Sequence, residues 1–285
     1  MIHTKWFVLA AGLALLTACS EEKTNTGNNG QAAETEESAA AAPDKAEEEK
    51  KIEVEQAEDT VEKPEKEPVE LAAEPQYRLN PQTWSLEPIG EAPAEAVLIT
   101  IDDAPDDHSV EMASVLKDRN VPAIFFVNGH FLDTDEEKAN LKKIHEMGFA
   151  IGNHTSTHAN LKTIGEEEQR EEILSLSETV EQIIGEKPKF FRAPNGSNTD
   201  FSKELTAQEG MLLMNWSYGY DWETQYMNPA ALADIMVNTE FLRNGSNLLM
   251  HDRKWTAEAL PKIIEGLQAK GYSFIDPEEI ENVKE

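Results

Sequence analysis

The chain has 285 residues and a formal net charge of −30, room for one large domain or two ordinary ones. So acidic a balance excludes a basic phosphate-binding face, and with it nucleic acid as a partner, and it excludes a grip on anionic lipid through basic residues. Its single cysteine, Cys19, excludes an internal disulfide framework and any cysteine-rich metal site.

In chain order, the first segment is residues 1–19. Lys5 supplies a positive start, and residues 6–16 form an apolar run of eleven. About twenty are needed to cross a bilayer, so the run reads as a signal-peptide core. It ends in Leu16-Thr17-Ala18-Cys19, which resembles the bacterial lipobox, Leu-[Ser/Thr/Ala]-[Gly/Ala]-Cys. That resemblance implies lipidation at Cys19 and an extracytoplasmic protein lipid-anchored to the cell membrane. An ordinary secretory signal with an incidental cysteine is the alternative, and a sole cysteine at this one position argues against it.

Residues 20–76 hold 18 acidic and 6 basic residues and no aromatic one. Too little apolar surface is available to offset the entropy of ordering, which predicts a disordered acidic linker. As a flexible coil its 57 residues reach about 40 Å on average, a length suited to a tether.

Residues 77–285 carry every aromatic residue except Trp6 and Phe7 and form one predicted domain. Short apolar runs predict strands at 96–101, 123–127, 150–152, 189–192, 210–216, 247–250 and 272–275. Helices are predicted at 109–119, 136–147, 166–184, 201–209, 229–241 and 256–270, with Gly148, Gly185 and Gly271 as stops and Pro229 as a start. Alternating strands and helices imply an α/β fold with a parallel sheet. About seven such pairs favour a distorted (β/α) barrel, closed or incomplete, over an open sheet, with chemistry at the strand ends.

The strand ends are polar. Asp102 and Asp103 follow the first strand, His154 and His158 the third, Arg192 the fourth, Asp221 and Trp222 the fifth, and His251 and Asp252 the sixth. His154 and His158 are four apart, so on a helical turn both rings face one way. That spacing suits two nitrogens on a zinc-type ion, with a carboxylate as third ligand. Alone, such a pair is more often plain solvent-facing polarity, and an Asp-Asp pair as readily caps a helix. Their conjunction in order is what points to a site.

Five ordered motifs resemble those of the polysaccharide deacetylases of carbohydrate esterase family four, the NodB-homology domain. They are Thr100-Ile101-Asp102-Asp103, His154-Thr155-Ser156-Thr157-His158, Arg192-Ala193-Pro194-Asn195-Gly196, Asp221-Trp222 and Leu249-Met250-His251. The resemblance implies a single catalytic domain that binds one divalent metal, Zn²⁺ before Co²⁺ or Ni²⁺, through Asp103, His154 and His158. It implies Asp102 as general base, oriented by Arg192, and His251 as general acid, held by Asp221. The Asn195 N–H is implied as oxyanion donor, and Trp222 and Leu249 as walls of the substrate pocket. Asn195 replaces the family's usual aromatic residue, which keeps a backbone donor and removes a sugar-facing ring. His108, His130 and His145 are expected on the surface. The activity implied is removal of N-acetyl groups from an envelope glycan, peptidoglycan N-acetylglucosamine first. O-acetyl esterase activity and a non-catalytic wall-binding lipoprotein are the alternatives, and nothing in the sequence specifies an oligomer.

Overall fold

The computed structural model describes residues 74–282. The signal segment, Cys19 and the predicted linker before residue 74 lie outside the described residues. Among those described, no helix is long and apolar enough to cross a membrane.

The organising element is β3 (Ala96–Ala104), nine residues that are all buried. A strand with neighbours on both edges and cover on both faces needs such a continuous apolar run. It pairs in parallel with β4 (Ala123–Val127) on one side and β8 (Asn247–His251) on the other. Beyond β4 follow β5 (Ala150–Asn153), β6 (Phe190–Phe191) and β7 (Leu212–Leu213), while β9 (Ser273–Phe274) also pairs with β3. The crossovers are α1 (Ser109–Asp118), α2 (Asp135–Glu146), α3 (Glu166–Ile184), α4 (Asp200–Gln208), α5 (Pro229–Asn238) and α6 (Lys254–Ala269). Their ends follow local chemistry. Thr134 and Glu137 form a reciprocal capping box on α2, Asn228 caps α5 ahead of Pro229, and Gly185 closes α3 at φ 87°.

The parallel sheet curls into a half-barrel. Its open side is crossed by the chain after β7, where Tyr218 bridges to Leu248 and the Leu249 N–H donates to the Tyr218 carbonyl at 2.9 Å. Gly219 permits this approach, since a Cβ there would stand 2.4 Å from the Leu249 carbonyl oxygen. Two predicted strands are shorter than expected. Residues 189–192 supply only β6 and residues 210–216 only β7. The ladder stops where Pro194 offers no N–H and where the chain leaves β7 to cross the barrel.

One element was not anticipated by the alternation: an antiparallel hairpin, β1 (Tyr77–Leu79) with β2 (Leu86–Pro88). Its three-residue strands are too short for a periodic signal. Tyr77, Leu79 and Leu86 pack with Leu98, Ile124, Phe126, Phe190 and Met214. The other layer joins Val97, Ile99, Ile101, Phe125 and Val127 to the helices. The strand period of two makes this partition. Along β3 the interior face reads Ala96, Leu98, Thr100 and Asp102, apolar at the hairpin end and polar at the other. The hairpin therefore plugs one mouth of the half-barrel, and the polar residues gather at the opposite one.

Candidate active site

Asp102 ends the interior row of β3, and the next residue should face the helices. Asp103 instead takes a left-handed backbone at φ 59°, and the register between β3 and β4 shifts between Ile101 and Ala104. Such a conformation costs a non-glycine residue roughly 1–2 kcal/mol. Here it turns both carboxylates of the pair into one pocket.

Asp102 is buried and fixed from below. Its Oδ1 accepts from Arg192 Nη1 at 2.6 Å. Arg192 is itself fully buried, lies 4.2 Å over the Phe126 ring, and donates to Thr100 Oγ1 at 2.8 Å and the Asn215 carbonyl at 3.0 Å. Burial pulls the Arg192 guanidinium below its ordinary range, against the opposing pull of Asp102. A buried cation needs every donor placed, and these partners place them.

The two histidines do not lie on a helix. They stand in an irregular loop after β5, where Thr155 and His158 both take left-handed backbones, at φ 70° and 61°. Side chains shape this loop instead. Asn153 Oδ1 accepts the Thr155 N–H at 2.9 Å, and the Glu172 carboxylate of α3 takes the Thr157 N–H at 2.8 Å. The rings still meet, with centroids 5.0 Å apart. His154 Nδ1 lies 2.7 Å from the Arg192 carbonyl, and a carbonyl only accepts, so the proton sits on Nδ1 and the Nε2 lone pair faces the pocket. Burial lowers the His154 pKa and favours that neutral form, with Asp102 and Asp103 opposing.

Asp103 Oδ1 is 3.9 Å from His154 Nε2 and 3.6 Å from His158 Nε2. With metal–ligand bonds near 2.1 Å, tetrahedral donors stand about 3.4 Å apart. Three ligand atoms all within 4.8 Å of one another fit a single ion of that kind. Burial raises the Asp103 pKa, but His251, His154, Arg253 and His158 together outweigh it and hold the carboxyl below its usual range. Asp103 is thus held toward its ionised form and His154 toward its neutral one, the forms in which these two groups ligate a metal.

Across the pocket, His251 Nδ1 bonds Asp221 Oδ1 at 2.7 Å. Asp221 is buried and fully partnered, its Oδ2 accepting from the His251 N–H at 2.6 Å and from Thr256 Oγ1 at 2.9 Å. Burial opposes a charge on His251, yet the bond and charge of Asp221, with Asp102 and Asp103, raise its pKa. Trp222 is not core: it is 44% exposed and stands edge-on to the His251 ring at 5.5 Å. Leu249 is buried in the pocket wall, and Asn195, exposed and left-handed at φ 55°, forms part of the rim. His130 is exposed, and His108 and His145 are half-buried, each with Nδ1 near a glutamate carboxylate, at 3.6 Å from Glu111 and 3.7 Å from Glu186.

Every candidate within the described residues thus converges on one pocket of about 550 Å³, with Arg192 beneath its floor. Sequence reasoning missed Trp216, Met227, Arg253 and Trp255 in the lining. It also missed Thr100 and Asn247, which share Arg192. A signal existed for this last pair, each being a polar residue inside an otherwise apolar strand.

A donor set for one ion, with a buried carboxylate and a carboxylate-backed imidazole in the same pocket, is a set of groups that metal-assisted hydrolysis could use. The comparisons narrow that class. The sequence model of the family described as "Polysaccharide deacetylase" matches residues 89–214, and this domain belongs to that family. A peptidoglycan-N-acetylglucosamine deacetylase of Bacillus cereus is 31% identical over 189 residues, covering 63% of this chain and 66% of its own. The peptidoglycan-N-acetylmuramic acid deacetylase PdaA of Bacillus subtilis is 27% identical over 65% of this chain and 71% of its own. The PdaA structure, a family 4 carbohydrate esterase, superposes with a TM-score of 0.58, covering 64% of this chain and 78% of that one. A family 4 pseudoenzyme from Bacillus anthracis gives 0.59 at 27% identity, covering 65% of this chain and 64% of that one. The chain spans 66% of the length of the Bacillus cereus relative.

Proposed function

We propose that the domain hydrolyses N-acetyl groups on an envelope polysaccharide, with peptidoglycan N-acetylglucosamine as the first substrate. Since a pseudoenzyme shares the fold, side chains and not the fold support this reading. The observation that carries it is the pairing of Asp102 with His251 on the neighbouring strands β3 and β8, in the pocket that also holds the donor set. Asp102 is fixed by a buried arginine, and His251 is held by a buried aspartate. A purely binding module has no use for a base and an acid held side by side in one pocket.

A divalent ion held by Asp103, His154 and His158 would supply Lewis acidity, acidifying a water and polarising the amide carbonyl. Asp102 keeps Oδ1 on Arg192 and leaves Oδ2, 3.6 Å from His154 Nε2, to accept the proton of the attacking water. His251, with Nδ1 committed to Asp221, presents Nε2 to the pocket and donates a proton to the departing nitrogen as the C–N bond breaks. The products are acetate and a free amine. The Asn195 N–H is assigned to the developing oxyanion, and Trp222 and Leu249 to the walls around the acetyl methyl.

The test is acetate release from peptidoglycan and chitooligosaccharides by purified protein with added Zn²⁺. We expect Asp102→Asn to lower kcat by about 10²–10⁴-fold, the range of a lost general base. No acetate from any N-acetylated glycan sinks the reading, and release only from O-acetyl substrates replaces it with an esterase. We propose also that Cys19 carries lipid and holds the domain outside the cell membrane. Cys19→Ala should then move the protein from the membrane fraction to the soluble one.

A further inference from the structure

Asp103 carries two carboxylate oxygens, and Oδ1 is the one whose distances to His154 and His158 Nε2 are 3.9 and 3.6 Å. Oδ2 accepts from Arg253 Nη2 at 2.7 Å, a charge-assisted bond. The guanidinium is tethered at its other end as well. Its Nη1 donates to the Asp252 carbonyl at 2.7 Å and lies 3.9 Å from Asp106 Oδ2. Asp252 is in turn immobile, because its buried carboxylate caps α1 by accepting the His108 and Ser109 N–H groups at 2.8 and 2.7 Å. The tripeptide His251-Asp252-Arg253 therefore delivers an imidazole, a helix cap and a clamp on the opposite carboxylate. Arg253 remains 37% exposed in its side chain and faces the pocket. With the guanidinium this open to water the pair adds little to stability, though Asp103 is buried, and its effect is geometric.

On the reading that Asp103 is a metal ligand, we propose that Arg253 is a positioning residue that confines Asp103 to ligation through one oxygen. Carboxylates bind divalent ions through one oxygen or both. With Oδ2 held by Arg253, chelation requires breaking a charged hydrogen bond, so Asp103 contributes Oδ1 alone and the ion keeps a low coordination number with a position open for water. Without the clamp the carboxylate is free to rotate, take the ion with both oxygens and crowd that position. Partners of ligands commonly govern metal sites in this way.

The experiment uses the full chain stripped of metal and reconstituted with Co²⁺, whose visible absorption reports coordination number. Wild type should show the intense bands of a four- or five-coordinate ion, and Arg253→Met should lose at least about twofold in intensity as coordination rises. Arg253→Lys, which keeps one cationic donor, should stay near wild type. Arg253→Gln serves as a second neutral variant should Arg253→Met not fold, judged by near-ultraviolet circular dichroism. A wild-type protein that binds Co²⁺ with a spectrum unchanged in the folded neutral variants overturns this inference alone. A wild-type protein that takes up no Co²⁺ overturns the metal reading, and this inference with it.

Discussion

At the residue scale, His251 and Asp102 differ in what surrounds them more than in what they are. Asp221 lies behind one ring nitrogen of His251, accepts a hydrogen bond from its N–H and lends a negative charge, and the imidazole pKa rises. The imidazolium is the form that donates, so activity holds as pH rises until the folded pKa is passed, and then falls. Asp221→Asn removes the charge and weakens the bond, so the basic limb of kcat/KM against pH should move to lower pH. A limb that stays in place would remove His251 from the acid role. Gly219 offers a steric counterpart. A Cβ there meets the Leu249 carbonyl oxygen at 2.4 Å and Trp222 Cζ3 at 2.8 Å. Gly219→Ala should cost about 1–3 kcal/mol in overpacking and raise KM more than it lowers kcat, because it displaces the wall rather than the acid. Denaturant titration and steady-state kinetics separate the two effects.

At the element scale, the N-terminal hairpin and the loops that carry the candidate site lie at opposite mouths of one half-barrel. Leu86 is buried among Leu98, Phe126 and Met214, and its N–H donates to the Gly245 carbonyl at 2.7 Å. Leu86→Ala should cost roughly 2–5 kcal/mol, the range for a buried leucine truncated in a packed core. At low temperature the remaining folded protein should keep wild-type kcat/KM, because the change lies at the far end of β3 from Asp102. A variant with unchanged stability and impaired activity would contradict the plug. The loop carrying His154 and His158 follows another logic. It is short and non-helical, and Asn153 and Glu172 hold it by binding its backbone N–H groups. Left-handed positions persist only where neighbours over-determine them.

At the scale of the whole molecule, the acidity is not confined to one region. Residues 77–285 contain 37 acidic and 18 basic residues, a net charge of −19. Deacetylation turns a neutral amide into an amine that is cationic at neutral pH. If the domain is such an enzyme, we expect its negative charge to retain that product near the surface, by an attraction that salt screens over about 10 Å at 0.1 M. Inhibition by the deacetylated oligosaccharide should therefore weaken as ionic strength rises. Inhibition constants indifferent to salt would dispose of the idea.

The sequence by itself determined the order of strands and helices, because buried strands need unbroken apolar runs and helices announce their caps. It also determined which polar residues end those strands, and residues as far apart as Asp102 and His251 could be assigned to one site from their order alone. What it could not supply was geometry that depends on departures from regular structure. The left-handed turn at Asp103, the irregular loop between His154 and His158, and the short hairpin leave no periodic trace. Arg253 was invisible for a related reason: its partner is 150 residues away, and only the parallel pairing of β3 with β8 brings the two strand ends together. The tertiary structure decided what stands behind the Asp103 carboxylate, because Arg253 reaches its Oδ2 only through strand ends that lie far apart in the sequence.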